Sequence, residues 1–482
     1  MRWRLIMHVV GWLTLFFGLT MAISLAVCLL LKDNSGLPML ISLVITVMFG
    51  TVMTLGFSGV EIADIRQREG MAIVFFGWTT MGLFGALPFY FGSEGLSFTD
   101  AFFESVSGFT TTGSSIFTDI EAQSSGLLFW RSFIQWLGGM GIIVLSLAVL
   151  PFLKLGGMQL YKAEVPSPLP DKLRPRIRET AVTLWKVYIL FTILQVLLLL
   201  AGGMNLYDSV CHAFTTMPTG GFSTRNLSIA HYNSVYFDTV FMVFMVMAGI
   251  NFSLHYQMLR GKPLVIWRDA EGRFFLLLTV ALVLLVGFNV YGEVYQTLSD
   301  ALRFGAFQVV SILTTTGYAS ADYESWPAMS QLILLMCMFV GASAGSTGGG
   351  IKCLRIMLLV KYCYRELFSM VHPISVTHIK IGGSPVSEDI VRSVMGFLAL
   401  YVGLFALASI LLAALNVDFV TALTAVAACI GNIGPGFGLV GPTENFAGIP
   451  VLGKWLLIWC MLLGRLEIYT VIILLVPEFW RK

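Results

Sequence analysis

Ten apolar runs, each long enough to cross a lipid bilayer as a helix, leave this 482-residue chain few soluble folds to adopt. A spanning helix needs about 20 apolar residues. The runs fall at roughly 5–31, 37–60, 71–92, 127–152, 182–203, 234–258, 274–292, 328–358, 393–415 and 451–477. A soluble chain carries about 25% charged residues. Here the figure is 12%, with 57% hydrophobic, so most of the surface must face lipid. The first run follows Met1-Arg-Trp-Arg4 and superficially resembles a secretory signal. A cleavable signal has an apolar core of only about 7–15 residues, so this run is read as a spanning helix. The expected fold class is an all-α polytopic membrane protein of ten transmembrane helices.

Lysine and arginine sort the runs by side. With a cytoplasmic N-terminus, the inner segments hold Arg66 and Arg68, then seven basic residues from Lys154 to Lys186. Arg260, Lys262, Arg268 and Arg273 follow, and then five more from Lys352 to Lys380. The outer segments hold mainly Lys32, Arg225, Arg303 and Lys454 beside acids such as Glu94, Asp119 and Asp322. The positive-inside rule therefore places both termini in the cytoplasm. With a net charge of only +2 and its basic residues clustered between apolar runs, the chain offers nucleic acid no footprint. Its seven cysteines and six histidines are scattered without CxxC or other zinc-ligand spacing, which excludes a metal centre of that kind. No HExxH, GxSxG or paired-carboxylate pattern lies in any run, so an enzyme is not expected. Arg131, near a helix end, is read as snorkelling to the interface.

Four outer segments share one plan. Each opens near an aspartate, continues through a short apolar stretch and closes on hydroxyl or small residues with a glycine. They begin at Asp100, Asp208, Asp300 and Asp418 and close on Gly113, Gly220, Gly317 and Gly434. The aspartate-to-glycine spacing is 13, 12, 17 and 16 residues, which reads as two shorter and two longer copies. This is an internal fourfold repeat of helix, short helix, loop and helix, preceded by two extra helices. The divisions are 1–65, 66–160, 161–260, 261–365 and 366–482.

About ten apolar residues cannot span a bilayer, but they fit a re-entrant helix whose following backbone lines a cavity. Aspartate is a favoured N-cap and suits the positive end of the helix dipole. Four such helices with their C-terminal ends inward would favour a cation on one axis. The tracts that follow are Thr110-Thr111-Thr112-Gly113, Met217-Pro218-Thr219-Gly220, Thr314-Thr315-Thr316-Gly317 and Gly431-Asn432-Ile433-Gly434. Glycine permits conformations in which successive carbonyls face one side, and rings of carbonyls can replace a cation's hydration shell. A single TTTG is an ordinary helix-ending turn, but four copies between spanning helices favour a pore.

At these residues the chain resembles the Trk/Ktr/HKT superfamily of potassium transporters, and within it the TrkH branch. The resemblance covers essentially the whole chain. It rests most specifically on Gln135–Ile142, Met217–Ser223, Thr314–Tyr318, Ala344–Lys352 and Gly431–Gly436. It implies a potassium filter at Thr110, Thr111, Thr112 and Gly113; Pro218, Thr219, Gly220 and Gly221; Thr315, Thr316, Gly317 and Tyr318; and Asn432, Ile433 and Gly434. In the plant branch, a serine at the first filter glycine accompanies sodium selectivity, so Gly113 points to potassium. The resemblance further implies that the third repeat's broken helix forms a gate at Gly341, Gly345, Gly348, Gly349, Gly350 and Lys352, with Arg465 near the constriction. Five glycines and no bulky side chain in 341–350 suit a mobile element, although a close helix contact through small residues would use the same composition. Arg465 could instead make a purely structural pair, but Glu467 lies on another helix face.

The same resemblance implies a bacterial inner-membrane homodimer with a cytosolic TrkA-type regulatory subunit. Nucleotide (ATP/ADP or NAD) is expected only on that partner, and this chain is expected to bind no cofactor beyond transported potassium. Gly436–Gly441 matches GxGxxG but follows a pore helix, and Ile351 separates glycine from Lys352 in the Walker-like stretch. The basic segments 162–186 and 352–380 are candidate docking surfaces, or else only set topology beside anionic lipid. A proton- or sodium-coupled symporter of the same fold is the alternative to a gated pore.

Overall fold

A computed structural model describes residues 1–59, 65–93, 95–148, 173–375 and 377–481, with side chains omitted at 144–148 and 173–178. The proposed docking segment 162–186 therefore lies in part outside the described residues. Helices α1 (Trp3–Leu31) and α2 (Gly36–Gly56) form an antiparallel pair at the periphery. Glycines bring their backbones together: a Cβ on Gly50 would stand 2.6 Å from Leu15 N, and one on Gly18 would stand 2.9 Å from Val47 Cγ2. Small residues of this kind drive helix contacts in lipid, where apolar side chains gain nothing from leaving the solvent. The outward faces of the pair keep Phe16, Leu19, Met48 and Val52 exposed, as a lipid-facing surface requires.

The first unit continues with α3 (Gln67–Gly85), α4 (Leu87–Gly92), the short α5 (Phe98–Phe109) and α6 (Ser125–Ala148). The second holds α7 (Leu173–Ala201), the short α8 (Leu206–Thr216), α9 (Val235–Gly249) and α10 (Phe252–Leu259). The third holds α11 (Ala270–Val290), the short α12 (Leu298–Leu313), α13 (Ala328–Val340) and α14 (Cys353–Val371). The fourth holds α15 (Glu388–Ala414), the short α16 (Phe419–Gly431), α17 (Val451–Arg465) and α18 (Ile468–Ile472). A two-residue antiparallel hairpin, Lys380–Ile381 with Ser384–Pro385, leads into α15. The expected division at 365/366 falls inside α14, which runs unbroken to Val371.

Among the described residues, six stretches are long and apolar enough to cross a membrane, or eight if two bent pairs are each counted as one span. The all-α polytopic class holds, and the count of ten is not reached among the described residues, where several apolar runs are broken. The helix axis turns by 105° between α9 and α10 and by 117° between α17 and the segment after it. The run 328–358 is interrupted between Val340 and Cys353. Sequence reading expected only this last break.

The four short helices carry the repeat. Their N-caps are Ser97, Asn205, Thr297 and Asp418, each accepting a backbone N–H three residues on. An N-cap of this kind contributes about 1 kcal/mol. Only the fourth aspartate is itself the cap. Asp100 and Asp300 sit three residues into their helices and accept from the Ser97 and Thr297 hydroxyls at 2.7 and 2.6 Å. Counted from the cap, Gly113, Gly220, Gly317 and Gly434 lie 16, 15, 20 and 16 residues on, so only α12 is a full turn longer.

Each short helix packs against the helix that follows it, and each of those packs against the next short helix: α6 on α8, α9 on α12, α13 on α16 and α17 back on α5. The four units thus close into a ring. Three of the four outer basic residues that run against the charge rule are paired: Arg225 with Asp208 and Arg303 with Asp238 at 2.7 Å, and Lys454 with Asp100 at 2.5 Å.

Candidate functional site

Past each short helix the backbone alternates between left- and right-handed conformations. Positive φ occurs at Thr111 and Gly113, Thr219 and Gly221, Thr315 and Gly317, and Asn432 and Gly434. Three of the first members are threonines, which rarely adopt this conformation, and such strain persists only where surroundings enforce it. The alternation corrects the sequence register in the second unit. The partner of Gly113, Gly317 and Gly434 is Gly221 (φ +73°), while Gly220 takes the place of Thr112, Thr316 and Ile433.

The same four glycines meet the neighbouring units in rotation. A Cβ on Gly113 would collide with Gly220 O, one on Gly221 with Thr316 O, and one on Gly317 with Ile433 O. One on Gly434 would stand 3.0 Å from Thr112 O. The carbonyls of Thr112, Gly220, Thr316 and Ile433 are thereby set side by side in a closed ring. Glycine is required here twice over, by φ and by space. The tracts are buried apart from Gly113, Gly221 and Gly317, which are half-buried.

Side chains from behind brace this ring. Gln135 on α6 donates from Nε2 to Gly220 O at 2.8 Å and accepts from Phe222 N at 3.2 Å. Asn432 Nδ2 donates to Thr112 Oγ1 at 2.9 Å and to Met461 O at 3.0 Å. Ser114 Oγ donates to Gly434 O at 3.0 Å. Tyr318 lies outside the ring, its hydroxyl 2.5 Å from Thr215 Oγ1 and donating to His212 O at 3.1 Å. Pro218 packs against α6, where a Cβ on Gly139 would stand 2.5 Å from its Cβ. Thr110 turns its hydroxyl to Thr112 Oγ1 at 2.7 Å, as Thr314 does to Thr316 at 2.8 Å. In the loop beyond, the Asn226 side chain donates to Asp119 at 2.9 Å and holds that carboxyl below its usual range.

Residues 341–350 form a non-helical loop directly beneath the tracts, not a packed helix. Gly341, Gly345 and Gly350 have positive φ. Gly349 N donates to Thr315 Oγ1 at 2.6 Å, and Gly350 N to Gly431 O at 2.9 Å. Thr347 Oγ1 donates to Met217 O at 2.9 Å, and a Cβ on Gly348 would stand 3.0 Å from Thr314 O. The loop therefore touches the second, third and fourth units at once. Its own side chains are small, but neighbours hold it. Glu271 Oε1, buried at the start of α11, accepts from Ala344 N within the loop at 2.7 Å and from Leu354 N at the start of α14 at 3.1 Å.

Lys352 Nζ donates to Gly348 O, and Arg465 Nη1 donates to Thr347 O at 2.7 Å. Arg465 is buried, and its Nε and Nη2 have no partner among the described residues. A cavity below the loop is lined by Lys352, Gly464, Arg465 and Glu467. The expectation that Glu467 is a poor partner for Arg465 agrees with its observed pairing: Glu467 binds Arg355 at 2.7 Å, whose guanidinium lies 3.9 Å over the Phe397 ring.

Arg131 does not snorkel. It is buried, paired with Glu104 at 2.5 Å, bonded to Ser223 O at 2.9 Å and stacked 3.5 Å over Phe222. Sequence reading did not single out Gln135, Glu104 or Glu271 as individual site residues. Each is a charged or amide side chain in or beside an apolar run, and that was the available signal.

Fold and site together define a helical membrane protein of the cation-transport class, with four re-entrant segments closed around one axis. The family model TrkH, described as a cation transport protein, matches residues 37–482. The Trk system potassium uptake proteins TrkH of Escherichia coli K12 and of Halomonas elongata are each 41% identical over the full length of both chains. The potassium transporter TrkH from Vibrio parahaemolyticus, known from a crystal structure, superposes with a TM-score of 0.92 at 37% identity, again covering all of both chains. The chain belongs to the TrkH family, a family of transporters and not of enzymes.

Proposed function

We propose that this chain takes up potassium across the bacterial inner membrane, as the membrane subunit of a Trk-type system, through a gated pore. One observation carries the reading: the closed rotation of Gly113, Gly221, Gly317 and Gly434 against the carbonyls of Gly220, Thr316, Ile433 and Thr112. Four carbonyls held by backbone geometry can replace water around a weakly hydrated monovalent cation. The dipoles of α5, α8, α12 and α16 add partial negative charge at their C-terminal ends.

The filter comprises the tracts from Thr110, Pro218, Thr315 and Asn432 through Gly113, Gly221, Tyr318 and Gly434. Below it, the 341–350 loop is the gate, closed here on the filter and latched by Arg465, Lys352 and Glu271. The protein works as a homodimer of four-unit protomers with both termini in the cytoplasm. A TrkA-type subunit carrying the nucleotide docks on the cytoplasmic face, and this chain carries only its cargo. The basic stretch 352–380, which includes Arg365 and Lys380, supports such a docking face.

The purified chain in liposomes tests this reading through reversal potentials in opposed potassium and sodium gradients. Potassium preference in the native chain, weakened in Gly113→Ser, is expected. A reversal potential indifferent to which cation is on which side would rule out the filter, and tight stoichiometric coupling to protons or sodium would rule out a pore.

A further inference from the structure

One position recurs behind every tract. Glu104, His212, Gln308 and Ala425 each stand nine residues before the positive-φ glycine of their unit. All four are buried on the short helices. The first three reach the strand that leaves the filter. Glu104 accepts from Ile116 N at 2.9 Å and Ser115 Oγ at 3.0 Å. His212 Nε2 lies 3.0 Å from Ser223 Oγ, and Gln308 Nε2 donates to Ala321 O at 3.0 Å. In the fourth unit, Ala425 cannot do this. The preceding residue does, with Thr424 Oγ1 accepting from Phe437 N and donating to its carbonyl, both at 2.9 Å.

The four braces thus differ: carboxylate, imidazole, amide and hydroxyl. Only the first is half of an ion pair, and its partner Arg131 reaches into the second unit. Arg131 Nε binds Glu104, and its Nη1 donates to Ser223 O, the same strand that His212 holds. Its guanidinium covers Phe222, the residue directly after Gly221. The side chains of Glu104 and Arg131 are 0% and 3% exposed. A charge pair this deep is expensive to desolvate and is no evidence of added stability, since a well-packed apolar pair of the same size does as well or better. Its geometry suits another task, a short and directional coupling of two turns.

We propose that Glu104 and Arg131 are positioning residues for ion selectivity, which lock the exits of the first and second filter turns into one register. The inference rests on the filter reading above. Ser115 and Ile116 are held by the carboxylate, and Ser223 by the guanidinium. The first and second carbonyls of the ring, Thr112 and Gly220, therefore cannot shift independently. Loss of the pair lets the ring relax on one side, toward a size that a smaller, more strongly hydrated cation tolerates.

The test uses the full-length chain in liposomes and reads the potassium-to-sodium permeability ratio from reversal potentials. The double variant Glu104→Gln/Arg131→Gln removes both charges and leaves no unpaired ion in the interior. It is expected to remain folded and conducting, with a permeability ratio lower by roughly tenfold, the scale of one lost charge-assisted hydrogen bond. Arg131→Lys, which keeps the charge but loses the fork that reaches Ser223 O, is expected to fall between the double variant and the native chain. A native ratio in both, alongside a changed ratio in Gly113→Ser, would overturn the positioning role and leave the filter intact. An unchanged ratio in Gly113→Ser would overturn the filter and this inference with it. If the double variant fails to fold, Arg131→Lys decides on the same ratio: a reduced value supports the role, and a native value overturns it.

Discussion

Gly220 and Gly221 are adjacent and carry different constraints. Gly221 has φ +73° and sits against Thr316 O, whereas a Cβ on Gly220 would meet the Gln135 amide that bonds its own carbonyl. Gly221→Ala is therefore expected to abolish selective uptake, measured as rubidium flux into liposomes, because neither φ nor the neighbouring backbone can yield. Gln135→Leu removes both bonds to the second turn and leaves Phe222 N without its partner. An unmade buried bond costs about 1–3 kcal/mol, so a severalfold fall in potassium preference is expected, read from reversal potentials. The glycine-bearing tracts themselves were legible in the sequence, since composition and position recur four times. Their register in the second unit was not: two adjacent glycines satisfy a composition rule equally well, and only φ separates them. Arg131 was misread for a related reason, since proximity to a helix end says nothing about Glu104, which stands 27 residues away in sequence.

At the scale of elements, the loop between α13 and α14 is held from outside. Glu271 binds Ala344 N within it and Leu354 N just beyond it, and Arg465 binds Thr347 O in its middle. Glu271→Ala frees two backbone donors and is expected to raise the basal flux of rubidium in the absence of any partner, by about tenfold. Arg465→Ala removes both the tether and a buried positive charge beside the cation's path. Uptake is expected to rise with the folded, monodisperse protein retained on size exclusion, and loss of folding instead would mark Arg465 as structural. The break within 328–358 was visible beforehand because five glycines in ten residues cannot hold a helix. The bends after Gly249 and Arg465 were not visible: the flanking sequences Ala248-Gly-Ile-Asn251 and Gly464-Arg-Leu-Glu467 are compatible with a continuous helix. They bend because the helix must pass beneath a short helix's end, where a Cβ on Gly249 would stand 3.1 Å from Thr314 Cγ2 and one on Gly464 would collide with Ile430 O.

At the scale of the molecule, four unequal units close into a ring, and the join between the last and the first needs its own fastening. Lys454 pairs with Asp100, and Phe446 N donates to Ser115 O at 2.8 Å. Lys454→Met is expected to lower the melting temperature of the detergent-solubilised protein by a few degrees, in keeping with roughly 1–2 kcal/mol for a half-buried pair. The fourfold plan and the membrane class were legible because each follows from long-range periodicity and from the cost of burying charge in lipid. The unequal braces behind the ring were not, because each joins residues from separate segments of its unit. The proposed pore requires the carbonyls of Thr112, Gly220, Thr316 and Ile433 to act together on one ion. Anomalous diffraction from crystals grown with thallium or rubidium in place of potassium measures this directly. An ion peak is expected on the central axis at the level of those four oxygens, and a pore whose bound ions all lie elsewhere would rule the carbonyl ring out as the filter.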